Sequence, residues 1–171
     1  MPEIDSTAAT IDTVRTIAQD TLERNHDILG MEVNGLSHAD SLLQPQPRGN
    51  CLNWVVGHMA ANRDIMLQAL GAPTVFAAGT LDHYQRGSAP ILADEEGVQP
   101  LEDLVAGFAT QGERLQASLA AATDAELASP SLLDGMNVVE SVQFLAWHES
   151  YHMGQTSLLR QLSGVNDTVI P

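Results

Sequence analysis

The chain contains no lysine, and all seven of its basic residues are arginine. Against them stand 22 acidic residues, so the formal net charge is −15. Such a surface is repelled by phosphate backbones and anionic headgroups, which argues against nucleic-acid and membrane partners. Aromatics are scarce too, at 4% of residues. The 44% of hydrophobic residues is therefore mostly Leu, Val, Ile and Ala, which suits packed helices better than a β-sandwich. With a single cysteine, Cys51, no intrachain disulfide can form, and a reducing cytoplasm is the expected setting. No basic segment followed by an apolar run marks the N-terminus, so no signal peptide is expected. No apolar stretch approaches the roughly 20 residues that span a bilayer. What remains is a 171-residue chain, long enough for one domain with a sizeable core.

Four segments carry helical periodicity. The first runs from about Thr7 to Leu29, with Ile11, Val14, Ala18, Leu22 and Leu29 on one stripe and Gly30 as a stop. The second runs from about Asn50, a capping residue, to Leu70, with Gly71 and Pro73 beyond it. The third runs from about Pro100 to Ala122, with Pro100 in the first turn and Glu102 and Asp103 at the positive end of the dipole. The fourth runs from about Val138 to Ser163, opened by a capping-box pattern at Asn137 and Glu140 and closed by Gly164. No segment alternates like a strand. The expectation is an all-α, antiparallel four-helix bundle in a single domain over residues 1–171. Two connections are long, Met31 to Gly49 and Ala72 to Gln99, and are expected to be functional covers or interface segments. In the second, Val75-Phe76 and Ile91-Leu92 offer apolar surfaces for dimerisation.

The chemistry concentrates in His148-Glu149-Ser150-Tyr151-His152. Two histidines four residues apart on a helix share a face about 6 Å apart along the axis, which suits two imidazoles on one metal ion. Counted at about 100° per residue, the stripe through them holds Ser141, Phe144, Leu145, Gln155, Leu159 and Leu162, an apolar face. His58 shares its stripe with Cys51, Trp54, Val55, Asn62, Ile65 and Ala69. Three imidazoles in one apolar core are costly unless each finds a partner. A shared metal provides one; the alternative is three separately hydrogen-bonded core histidines. A zinc-protease reading of the His-Glu-x-x-His pattern fails. Asp167 is the one acid after His152, Gln155 stands where the longer motif needs glycine, and no sheet edge is expected.

Three neutral imidazoles leave a coordination position open for water or a thiolate. Glu149 is a candidate general base or hydrogen-bond acceptor for the histidines, or else a solvated helix charge. Gln155 is a candidate to orient water or substrate, or else a partner of the backbone. Asn62, one turn beyond His58, is a candidate to support it. Trp54, Trp147 and Tyr151 read as packing residues, Cys51 as a small buried apolar one, His38 as an exposed loop residue, and His83 as an exposed loop residue or else one that closes over the site. His26 is the fallback ligand.

The segments Asn53-Trp54-Val55-Val56-Gly57-His58, with Arg63-Asp64 beyond, and His148-Glu149-Ser150-Tyr151-His152-Met153-Gly154-Gln155 resemble the DinB/YfiT-like superfamily of metal-binding four-helix bundles. The resemblance covers most of the chain. It implies that His58, His148 and His152 bind a divalent metal, commonly zinc, nickel or iron. It further implies a thiol S-transferase or hydrolase acting on a small electrophile, with a low-molecular-weight thiol such as mycothiol or bacillithiol as co-substrate, and a homodimer. A non-catalytic metal-binding or stress-related bundle is the alternative. No longer C-terminal region of the kind that mycothiol-dependent maleylpyruvate isomerases carry is expected, which counts against that isomerase activity.

Overall fold

The structure, a computed structural model, describes residues 6–165; Asp167 lies outside them. The described residues form six α-helices, α1 (Ser6–Val33), α2 (His38–Ser41), α3 (Leu52–Ala69), α4 (Leu101–Ala121), α5 (Asp124–Leu127) and α6 (Val138–Arg160), and include no β-strand. Two 3-10 turns, Asp82–Tyr84 and Gln161–Ser163, complete the elements. Among the long helices, α1 packs on α6 and α4, and α3 packs on α4 and α6.

Each long helix follows from its sequence, with small corrections. α1 buries Ile11, Ala18, Leu22, Asn25 and Leu29 at helical spacing and runs a turn past Gly30. Nothing lies near the missing Cβ of Gly30, so the glycine does not stop the helix; the chain reverses at Gly35, whose φ of +79° an L side chain rarely adopts. The N-cap of α3 is Cys51, not Asn50, and it makes no side-chain capping bond. α3 is buried nearly all round, from Leu52 to Asp64 without a break, as expected of a helix enclosed by neighbours. Pro100 stands one position earlier than expected, at the N-cap of α4. His38 is not a free loop residue: its Nδ1 accepts the Leu101 N–H at 3.2 Å, satisfying one of the orphan donors at the start of α4. α6 opens on the expected box, with Glu140 N–H to Asn137 and Asn137 N–H to Glu140, both at 2.9 Å.

The short helices were not legible as periodic segments, yet α2 and α5 each carry a complete capping box, at Ser37/Asp40 and Thr123/Glu126. The long 72–99 connection is part of the core rather than a detached cover. It buries Leu81, Tyr84, Ile91 and Val98 in the cluster formed with α3 and α4, the three aliphatic side chains contributing about 1.5–3 kcal/mol of transfer free energy each. Of the apolar pairs offered for dimerisation, Ile91 is buried and Phe76 lies half-buried against Gly107, leaving Leu92 exposed. The start of this connection is tied down by Asp64, whose carboxylate accepts the N–H groups of Val75 and Phe76 and the amide of Gln111.

The buried face of α6 is rotated from the expected stripe by one residue, roughly 100°. It is centred on Glu149 and runs through Val142, Ala146, Met153, Thr156 and Arg160. Phe144, Leu162 and Gln155 are exposed, and Trp147 and Tyr151, expected to pack, are 58% and 62% exposed. His148 and His152 therefore sit at the edge of the core face.

Candidate metal centre

The centre is assembled by α3, α6 and the 3-10 turn at Asp82–Tyr84. His58 and His152 are buried and His148 is half-buried. One ring nitrogen from each lies within 4.8 Å of the others. His58 Nδ1 donates to the Tyr84 carbonyl at 2.7 Å, and His152 Nδ1 donates to Gln155 Oε1 at 2.6 Å. Both rings are thereby held as Nδ1–H tautomers with Nε2 lone pairs directed at the common space, the arrangement in which a histidine ligand is fixed through its outer nitrogen.

His148 Nε2 lies 3.2 Å from His152 Nε2. Because His152 Nε2 carries a lone pair, His148 must supply the proton between them. That leaves His148 Nδ1 as an acceptor, and this atom is buried without a partner. A cation in place of that proton would let both Nε2 atoms act as acceptors of one charge instead of one donating to the other. Nitrogens 3.2 Å apart are close enough for His148 and His152 to hold one ion between them. Three imidazole donors suit a divalent metal. Burial also lowers the pKa of all three imidazoles, His58 and His152 with opposing help from their hydrogen bonds, so each is poised as a neutral ligand at neutral pH.

The motif around His58 explains itself residue by residue. Trp54 stacks under the His58 ring with centroids 4.6 Å apart. Gly57 is required because a Cβ there would stand 2.1 Å from Tyr84 Cδ1. Asn53 Oδ1 accepts the Tyr84 hydroxyl at 2.9 Å, and that hydroxyl accepts Gln99 N–H at 2.7 Å. Burial pushes the Tyr84 phenol up to about 12, so it stays protonated as a donor. Tyr84 is thus the residue the sequence did not single out; its backbone carbonyl orients His58. The one clue was Gly57 within a helix, at a position where only a close neighbour justifies its cost.

The remaining candidates separate. Asn62 does reach His58, donating to its carbonyl at 2.9 Å, but the same amide lies 3.2 Å from Nε2. It therefore fills the ligand direction of the metal-free ring rather than supporting it from behind. Gln155 holds His152. Glu149 is fully buried and paired two-fold with Arg63, Nε to Oε2 at 2.7 Å and Nη2 to Oε1 at 2.8 Å. It is neither a solvated charge nor in contact with the imidazoles, and both its oxygens are committed. Arg63 also donates to the carbonyls of Phe108 and Leu22, with its guanidinium 3.3 Å from the Phe108 ring centroid. His26 stacks near Phe108 and is not among the convergent ligands. His83 packs against Gly97. Cys51 is buried, with its thiol 3.7 Å from the Ile91 carbonyl and its pKa raised by burial.

The family model of the DinB superfamily matches residues 21–156, which include all three histidines and every helix from α2 to α5. The chain belongs to that superfamily. No curated protein shows a significant sequence match to it.

Proposed function

We propose that this DinB-superfamily chain is a metalloenzyme, a thiol S-transferase or hydrolase acting on a small electrophile at a divalent metal held by His58, His148 and His152. We further read its four long helices as an antiparallel bundle that presents the centre at the edge of α6. The observation that carries the reading is the convergence of three ring nitrogens, with two of the opposite nitrogens already committed to Tyr84 and Gln155. When bound, a divalent ion supplies a nucleophile at neutral pH by acidifying a water or a thiol.

The protein's own residues do the rest. The Tyr84 carbonyl and the Gln155 amide hold two rings in the ligating tautomer. Burial keeps the imidazoles unprotonated and excludes bulk water from the inner side of the centre. His148, the half-buried member, marks the side from which a substrate enters. A purely structural metal is the competing role. Against it, Arg63 and Glu149 already join α3 to α6 without a metal, and a three-residue donor set leaves positions free.

Metal content tests the reading. Tag-free wild-type protein measured by mass spectrometry should carry near one equivalent of a transition metal, lost in His58→Ala and in His152→Ala. Wild type that stays empty after incubation with zinc, nickel and iron would sink the centre. Loaded protein that turns over neither thiol-transfer nor hydrolysis substrates would leave the metal but remove the enzyme.

A further inference from the structure

We propose that Arg86 anchors an anionic group, a carboxylate in the first instance, on the small molecule that uses the three-histidine centre. The inference rests on the reading of that centre as a ligand site and narrows its substrate class.

Arg86 occupies a built position. Ser88 N–H bonds to the Gln85 carbonyl at 3.0 Å, and Gly87 has φ of +86°, so residues 85–88 form a type II turn with Arg86 at its second position. Both ends of the turn are pinned to the frame of the centre. On one side the Tyr84 carbonyl holds His58. On the other, Ser88 Oγ accepts the Trp54 indole N–H at 3.0 Å, and Trp54 is the ring stacked on His58. Ser88 Oγ in turn donates to the His83 carbonyl at 2.8 Å, closing the turn on itself. The backbone under Arg86 is therefore fixed while its side chain is exposed.

Most of the other arginines are occupied. Arg15 pairs with Asp124, Arg63 with Glu149, Arg114 with the carbonyls of Pro73 and Thr74, and Arg160 with those of Glu32 and Asn34. Arg86 makes no hydrogen bond or ion pair with the described residues. Arg24 and Arg48 share that state, but they lie on α1 and in the segment before α3, and neither sits on a turn bonded to His58 or Trp54. Burial is the main cause that lowers the His148 pKa, followed by the neighbouring His58 and by the positive charge of Arg86. In a molecule of net charge −15, a free guanidinium on the turn between Tyr84, which holds His58, and Ser88, which holds Trp54, is a local positive region. A guanidinium presents a planar fork that matches a carboxylate with two parallel hydrogen bonds. The ligand it selects is a small molecule whose anionic group stands a short chain away from the thiol or electrophilic carbon directed at the histidines.

The test compares 3-mercaptopropionate with its neutral isostere 3-mercaptopropionamide. Their dissociation constants are measured on cobalt-loaded protein by the thiolate absorption band, in wild type, Arg86→Gln and Arg86→Lys. Wild type should prefer the carboxylate by about fivefold, the upper end for an exposed ion pair. Arg86→Gln should lose the preference while binding the amide unchanged, and Arg86→Lys should keep part of it. Equal binding of the two thiols by wild type, or a preference that survives in Arg86→Gln, overturns the assignment. Protein that takes up no cobalt overturns the metal reading instead, and the anchor is then decided on metal-free protein by the His148 ring resonances. Saturable shifts with 3-mercaptopropionate that vanish in Arg86→Gln support it, and their absence in wild type overturns it.

Discussion

Two polar clusters bridge α3 and α6, and they are built to opposite specifications. One is Arg63 with Glu149; the other is His58 with His148 and His152. The first lies between the two apolar clusters of the core, over Phe108 of one and bonded to the Leu22 carbonyl of the other. The carboxylate is matched two-fold, and the guanidinium donates further to two backbone carbonyls. Nothing remains for a ligand to take. In the second cluster three ring nitrogens converge, one amide fills a ligand direction, and a buried nitrogen has no partner. Burial of polar groups is common to both, so burial alone does not mark function. What distinguishes a site is polar capacity left unspent inside the protein.

The largest expected effect breaks the closed cluster. Arg63→Met leaves the Glu149 carboxylate buried and unpaired, and Glu149→Leu does the same to the guanidinium, each costing about 3–5 kcal/mol of stability. Arg63→Met with Glu149→Leu together should cost far less than the sum, because no charge is then left uncompensated. Urea denaturation of the four proteins reads the cycle. The double variant should still bind near one equivalent of metal. A folded double variant without metal would mean that the ion pair belongs to the site, and the contrast between the clusters would fail.

The contrast also explains what the sequence disclosed. The four long helices were legible from their apolar periodicity, and α6 also from its capping box and the glycine that follows it. The three histidines were legible because their residue type is rare on apolar stripes. The phase of α6 was misjudged because Phe144 and Leu162 were taken as core, whereas Glu149 and Arg160 are buried. A buried ion pair inverts the hydrophobic pattern, and a single sequence does not show that Glu149 has Arg63 as its partner 86 positions away. Tyr84 escaped for a related reason. Its contribution is a backbone carbonyl, which every residue possesses, delivered by a connection whose path no periodicity fixes.

A smaller effect sharpens the open cluster from its rim. Gln155 is exposed and accepts the His152 Nδ1–H. Gln155→Ala should leave unfolding of metal-free protein within about 0.5 kcal/mol of wild type. It should weaken metal binding about tenfold, the lower end for loss of a residue that orients a histidine ligand. Competition titration with a chromophoric chelator measures the second quantity and chemical denaturation the first. Gln155→Glu should restore affinity, since a carboxylate accepts the same proton. Unchanged affinity in Gln155→Ala would show that His152 is held by packing alone, and the tautomer argument for the centre would lose one of its two supports.

The smallest effect is a slope. Burial lowers the pKa of His58, His148 and His152 below the ordinary value of 6.5. As pH falls through that value, the unfolded chain gains protons that the folded protein declines, so unfolding is favoured by acid. The stabilisation from neutral imidazoles is complete above the ordinary histidine range and is lost progressively below it, toward the lowered native values. Metal-free wild type should therefore show denaturation midpoints that are flat above that range and decline below it. Replacing all three histidines by glutamine should flatten the decline that belongs to them. Saturating metal should steepen it, because protons and the ion compete for the same Nε2 atoms. If the decline persisted unchanged in the triple variant, or if metal left it untouched, the three rings would be ordinary core histidines. The two clusters would then differ in composition but not in purpose.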